Sequence, residues 1–403
     1  MWHRSPVFPI ISRRIGAIPK ALFYQSIGAT LTRFDIDVDR AALTRREPVT
    51  APANVQYVWP HPSRKFLYVV SSDGGPGKIP STLNVATAYR IEPATGVLRP
   101  HGPAATLPSR PIHCCIDASG QFLLTAYNFP SNITVHRINP DGTIGAAVEQ
   151  GAKLDFGIFA HQVMPMPGNT GVILVTRGNN ATANRPEDPG ALKLFGFKDG
   201  VLSNLLSVAP GRGLGFGPRH LDFHPIKPWV LLSVERQSQL MVYHYSADGS
   251  LSIDPTFTKS SLEDPASQGP SQMAGAIHVH PTGRFVYQTN RNSSTVVVGG
   301  RRVFKGGENN VAVFALNPTT GEPTLIQNAE ARTNHLRTFA IDPSGRMLIA
   351  ASIQPIPLED GSTLPAALVL YRIGTDGKLT FVRKYDIDTG KLMQFWTGIV
   401  ALE

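Results

Sequence analysis

Cysteine is nearly absent from this 403-residue chain, and its two copies, Cys114 and Cys115, are neighbours. On a strand their side chains point to opposite faces, so neither can staple a loop. That excludes a disulfide framework and a cysteine-built metal cluster, and a reducing compartment is the expectation. Charged residues are sparse at 17%, and no long amphipathic helical pattern is present. No apolar run approaches the roughly 20 residues of a membrane span. His161, His220 and His224 lack metal-ligand spacing, and no acidic cluster suggests a calcium or zinc cage. Neither a metal nor another cofactor is therefore expected.

The formal charge of +9 raises the question of nucleic acid. Four of those charges, Arg4, Arg13, Arg14 and Lys20, fall in the first 22 positions, and the remaining +5 is spread thinly. Without a basic run interleaved with aromatics, neither nucleic acid nor a membrane surface is an expected partner. The opening "MWHRSPVFPIISRRIGAIPKALFYQ" places paired arginines before apolar residues, loosely like an export signal, but Pro19 and Lys20 interrupt any apolar helix. Residues 1–22 are read as a disordered arm, residues 23–403 as a single domain, and the cytoplasm as its location, with periplasmic export the weaker reading.

What the chain does have is punctuation: 37 glycines and 34 prolines, suited to many short strands joined by tight turns. A repeat runs through it. Six copies of an alternating strand, a turn of the type His/Asp-Pro-x-Gly-Arg and a second apolar strand are visible, among them "VQYVWPHPSRKFLYVVSSD", "RHLDFHPIKPWVLLSVER" and "AIHVHPTGRFVYQTNR". Each is followed by a third strand ending in Asp/Asn-Pro-x-x-Gly or a relative of it, as in "NITVHRINPDGTI". An orphan third strand, "ATLTRFDIDVDRAAL", lies near the N-terminus, and an orphan first strand, "QFWTGIV", ends the chain. The two orphans complement each other. The sequence thus predicts an all-β fold, a seven-bladed β-propeller closed by pairing N- and C-terminal strands in one blade, which leaves no free sheet edge. Extra length is assigned to loops such as "RGNNATANRPEDPG" and "RNSSTVVVGGRRVFKGGENN".

The glycine-rich "GRGLGFGPRHLDFHP" superficially resembles a phosphate-cradling loop. A dinucleotide fingerprint needs a strand before its glycines and a helix after them, whereas here a strand follows. The stretch reads as a crossover between blades, and "GGPGK" at Gly74–Lys78 fails as a P-loop for the same reason.

The repeat also locates a site. The first two strands of a blade form an antiparallel hairpin, so the start of the first and the end of the second lie at the same mouth of the central channel. Aligned on the hairpin proline, the first position holds Gln56, Ile112, His161, Arg219, Gly275 and Arg337, and the second holds Ser72, Asn128, Arg177, Glu235, Arg291 and Ile353, with Gln354 beside it. Clustered arginines repel unless something anionic sits among them, whereas core positions of the same repeat carry Val, Ile, Leu and Phe. The plainer alternative is a solvated rim of blade-to-blade salt bridges. His61, His224 and His280 sit in the hairpin turns at the far end and read as turn features, and His113 and His220 read as buried, hydrogen-bonded core histidines.

With "GPRH…VER", "YQTNR" and the "HP-x-GRF-x-Y" hairpins in view, the chain resembles the seven-bladed propeller lactonase family, from about Phe23 to the end. The family includes propeller-type 6-phosphogluconolactonases and carboxymuconate-lactonizing enzymes. The resemblance implies catalytic roles for His161, Glu235, Arg219 and Arg291, the four that the repeat also selects, and we assign Arg177, Arg337, Asn128 and Gln354 to substrate binding. Where the family usually carries Asp-Leu-Gly, this chain has Thr176-Arg177-Gly178, and Val234 stands where an Asn usually precedes the Glu. The expected function is metal-independent hydrolysis of an anionic sugar-acid or related lactone, with either His161 or Glu235 as general base. The alternatives are a cycloisomerase forming a muconolactone from a carboxy-muconate, and a non-catalytic propeller binding a small ligand.

Overall fold

The computed structural model describes residues 20–402 apart from 77, 78, 152 and 270, and nearly all of the expected arm lies outside them. Seven sheets of four or five strands form the body, each an antiparallel meander. Blade 1 comprises Asn54–Pro60, Phe66–Ser72, Asn84–Ile91 and Leu98–Pro100. Blade 2 comprises Pro111–Ile116, Phe122–Asn128, Ser131–Ile138 and Ile144–Ala147; blade 3, Ala160–Pro165, Val172–Thr176, Ala191–Lys198 and Val201–Val208. Blade 4 comprises Pro218–Phe223, Trp229–Val234, Gln239–His244 and Phe257–Ser260. Met273–Val279, Phe285–Arg291, Asn310–Leu316 and Pro323–Glu330 build blade 5, and Leu336–Ile341, Met347–Ser352, Ala366–Ile373 and Leu379–Ile387 build blade 6.

The closing blade takes its innermost strand, Gln394–Ala401, from the C-terminus and its outer three, Ala21–Ile27, Thr30–Asp37 and Ala42–Thr50, from the N-terminus. The register is antiparallel, with Leu22 opposite Val400 and Phe23 opposite Ile399. Innermost strands touch their neighbours in cyclic order, and Gln394–Ala401 meets Asn54–Pro60 to complete the ring. The first strand begins ahead of Phe23, so the domain start expected at 23 falls inside an element. Its residues Leu22, Phe23 and Tyr24 are fully buried, which pulls pairing to the very start of the described chain.

The second strand of each blade is buried along nearly its whole length, because neighbouring blades cover both its faces. Seven separate apolar clusters fill the seven blade-to-blade interfaces, one to each. Cys114 and Cys115 lie in two different clusters, as opposite-facing neighbours must. The glycine-rich 211–217 is indeed the crossover from blade 3 to blade 4. One expected loop has structure of its own: Thr295–Val298 and Arg301–Phe304 pair as a hairpin between the second and third strands of blade 5.

At the end of the propeller away from the charged mouth, the turn histidines join blade to blade. The Nε2–H of His61 donates to the Gly120 carbonyl, that of His224 to Gly283 and that of His280 to Gly345, at 2.9, 3.0 and 2.8 Å. Each Nδ1 accepts from its own turn, His224 from the backbone N–H of Lys227 at 2.9 Å. Gly283 has φ +74°, and a Cβ there would lie 2.5 Å from His224 Nε2. Gly283→Ala is therefore expected to lose about 2 kcal/mol or more through backbone strain and displacement of the histidine, read as a lower midpoint in urea unfolding.

Candidate active site

Each innermost strand carries a β-bulge at the repeat position that the alignment selected. The pairing skips Gln56, Ile112, His161, Arg219 and Arg337, and is broken around Gly275 and around Phe395 in the closing blade. A bulge leaves the extra residue outside the ladder and re-aims its side chain, here toward the channel mouth. The ends of the second strands supply Asn128, Arg177, Glu235 and Arg291. All eight residues singled out from sequence, His161, Glu235, Arg219, Arg291, Arg177, Arg337, Asn128 and Gln354, line one cavity of about 1090 Å³.

At its centre is Glu235, 3% exposed. Its Oε1 accepts from Arg177 Nη1 at 2.7 Å and its Oε2 from Arg291 Nη2 at 2.6 Å. Arg219, the largest fully buried side chain, places Nε 3.2 Å from the same Oε2, without the alignment of a hydrogen bond. Burial works to raise the carboxyl pKa, but Arg291, Arg177 and Arg219 overcome it and hold Glu235 down at about 2. Its oxygens are thus fully occupied and weakly basic.

Each of two arginines also donates to a histidine. Arg219 Nη1 lies 3.1 Å from His161 Nε2, and Arg291 Nη1 lies 2.9 Å from His335 Nε2. Guanidinium has no acceptor, so both Nε2 atoms must be lone-pair acceptors and both protons sit on Nδ1. His335 passes its Nδ1–H to Ser293 Oγ at 2.9 Å, whereas His161 Nδ1 has no partner among the described residues. Burial first, then Arg219 for His161 and Arg291 for His335, pushes both imidazoles well below their ordinary range. Arg337 stands apart: its Nε donates to the Phe395 carbonyl at 3.1 Å, its plane lies 3.7 Å from the Phe395 ring, and no described carboxylate pairs with it. Arg110 lies 5.5 Å from the same ring and is held by Gln56 Oε1 at 2.8 Å. Among the described residues lining the cavity there are five arginines and one acid.

A family model described as "Lactonase, 7-bladed beta-propeller" matches residues 22–355. The chain belongs to that family. A 6-phosphogluconolactonase of Cronobacter sakazakii is 30% identical over 77% of this propeller and 81% of its own length. One of Bacillus subtilis is 26% identical, over 79% and 83% respectively. Among solved structures, a periplasmic gluconolactonase of Pseudomonas aeruginosa superposes with a TM-score of 0.69 at 18% identity, covering 95% of this chain and 99% of that one, a likeness of fold. Among the described residues of this lactonase-family propeller, no helix is long and apolar enough to cross a membrane, and no group of three or more His, Cys, Asp or Glu is placed to hold a metal ion.

One reading from sequence needs correction. His113 is fully buried, but neither ring nitrogen has a hydrogen-bond partner; it packs 4.0 Å from the Tyr57 ring and 6.0 Å from His220, which in turn lies 5.0 Å from His161. The channel below the site is lined by rings, and ring contacts stand where hydrogen bonds were expected. Other lining residues were missed: Arg110, Phe159, Met273, His335 and Met393. Each lies two positions before the bulged residue of its blade, Met273 at the start of its strand and the other four in the crossover just ahead of theirs, Phe159 and His335 at positive φ. Reading the repeat two residues further back would have found them.

Two outcomes follow from these charges. Glu235→Gln leaves the buried arginines without their counter-ion, so a loss of about 3–5 kcal/mol is expected. Sulfate should recover part of it in thermal melts, and more than it adds to the wild type. The pH dependence is set by histidines held neutral: His161, His220 and His335 lie well below the ordinary imidazole range, and His113 at about 3. Above about pH 6.5 folded and unfolded chains bind equal protons at these sites. As pH falls below that, only the unfolded chain takes them up, so stability declines. His113→Gln should flatten this decline by up to about 1.4 kcal/mol per pH unit, measured from urea unfolding between pH 7 and pH 5.

Proposed function

We propose that this protein is a lactonase that hydrolyses a lactone bearing a phosphate or carboxylate, in the manner of a 6-phosphogluconolactonase. The observation that carries the reading is the five arginines around one carboxylate in the cavity. An excess of buried cations is costly without an anion to share it. Arg337 and Arg110, which lack acidic partners, hold the substrate's anionic group, while Arg219 and Arg291 stabilise charge developing on the lactone carbonyl oxygen. The names of the similar proteins support the same reaction.

Of the two carboxylate and imidazole candidates for the base, His161 fits better. Glu235 spends both oxygens on arginines and serves to position them. His161 is neutral at physiological pH, and the lactone carbonyl oxygen, by accepting the Arg219 Nη1–H on binding, frees the Nε2 lone pair for water. Water then loses its proton to Nε2 as its oxygen bonds the carbonyl carbon. The ring C–O bond breaks, and the proton passes to the departing alkoxide, giving the hydroxy acid. None of these steps calls on a metal.

The test is proton release from 6-phosphogluconolactone and from uncharged gluconolactone, corrected for spontaneous opening. Selective turnover of the phosphorylated lactone is expected. Arg219→Ala should lower kcat by about 10²–10³-fold and His161→Gln by about 10²–10⁴-fold. No acceleration of either lactone would reject sugar lactones and turn the assignment to muconate cycloisomerisation or to ligand binding without turnover.

A further inference from the structure

The cavity has two unlike halves. Its charged groups come mostly from consecutive blades: His161 and Arg177 from blade 3, Arg219 and Glu235 from blade 4, and Arg291 from blade 5. The opposite wall comes from blades 6, 7, 1 and 2, counting the closing blade as the seventh, and is richer in apolar groups: Pro355, Ile356 and Pro357, then Met393 and Phe395, then Ile79 and Pro80, then Ile112 and Phe129, with Asn128 and Gln354 polar among them. Arg337 of blade 6 and Arg110, just ahead of blade 2, bring two charges into this wall, both over the Phe395 ring.

The apolar wall is built on purpose-sized insertions. Ile79 and Pro80 lie in the long connection between the second and third strands of blade 1, and Ile356–Pro357 pairs with Thr363–Leu364 as a small hairpin in the matching connection of blade 6. Ile79 is 57% exposed, which is unfavourable for a branched apolar chain at the lip of a cationic pocket. A cavity of about 1090 Å³ also lies at the upper end of what small ligands fill, about 300–1,000 Å³. A sugar phosphate would satisfy the arginines and leave the prolines, isoleucines and phenylalanine of this wall uncovered.

We infer that the anion this cavity takes carries an apolar substituent, aromatic or alkyl, that lies against Phe129, Ile79 and Ile356 while the charged group sits among the arginines. The inference rests on the anion-clamped reading above and narrows it to amphiphilic anionic lactones. It is independent of turnover, because it concerns binding.

Titration calorimetry of the full chain with inorganic phosphate, glucose 6-phosphate, phenyl phosphate and 2-naphthyl phosphate tests it. 2-Naphthyl phosphate should bind about tenfold or more tightly than inorganic phosphate, and more tightly than glucose 6-phosphate. Phe129→Ser and Ile79→Ser, both at exposed positions that folding tolerates, should remove most of that gain while leaving phosphate affinity within about twofold. Glucose 6-phosphate binding as the tightest of the four, or a variant that weakens phosphate and naphthyl phosphate alike, would overturn the inference. Absence of binding by every anion would overturn both it and the anion clamp beneath it. Tight naphthyl phosphate binding in a chain that hydrolyses no lactone would uphold the two-faced site and reject hydrolysis alone.

Discussion

Three guanidinium groups from three blades converge on one buried carboxylate, and the chemistry of the mouth depends on that convergence. Glu235 is fixed from both sides: its backbone N–H donates to the Gly217 carbonyl at 2.8 Å and its carbonyl accepts from Ala274 at 3.0 Å. It therefore sits at the junction of blades 4 and 5 with little freedom to move. Arg177 is held by the Arg236 guanidinium at its carbonyl and lies 4.2 Å from the Phe159 ring. Arg291 is steadied by the Ala274 carbonyl at 3.2 Å and by His335. Such mutual holding keeps donors aimed before a substrate arrives, so little reorganisation is needed at the moment charge develops.

The division between what the chain announces and what it conceals follows from periodicity. Positions that recur once per blade were legible: the apolar second strands, the turn histidines, the orphan strands that complete the ring, and the residues at His161, Arg219 and Arg337. A side chain's blade and its mouth could be placed because every blade obeys the same hairpin geometry. What was hidden is what occurs once. The connections between second and third strands differ in length and sequence from blade to blade, so the hairpin Ile356–Pro357 with Thr363–Leu364 gave no signal. His335 was obscured differently, since its backbone takes a positive φ of 46° in the crossover, outside any strand pattern. Arg110 belongs to the same set of positions and was masked by its neighbour Ile112, whose apolar character drew no notice.

The histidines show how a side chain's environment escapes a pattern of letters. His224 and His280 bond glycine carbonyls of the next blade, and a repeated turn is enough to anticipate a structural role. His113 occupies an equally regular place but meets rings in place of acceptors, because its neighbours are Tyr57 and His220. Burial depth and the identity of residues across the channel depend on all seven blades together, and no single copy of the repeat encodes them.

The bulge that recurs in the innermost strands separates two tasks that most folds ask of the same atoms. A residue outside the pairing ladder contributes little to sheet register, and of this set only Ile112 also joins an apolar blade interface. Histidine, arginine, isoleucine, glutamine and glycine all occupy that one structural place in this chain. Except at Gly275, where a Cβ would lie 2.2 Å from Thr289 Oγ1, the place is a socket facing the mouth, and recognition can drift by single substitutions there while the ring beneath stays intact. A scaffold so arranged can explore new substrates without first risking its own folding, which gives the architecture unusual room to evolve.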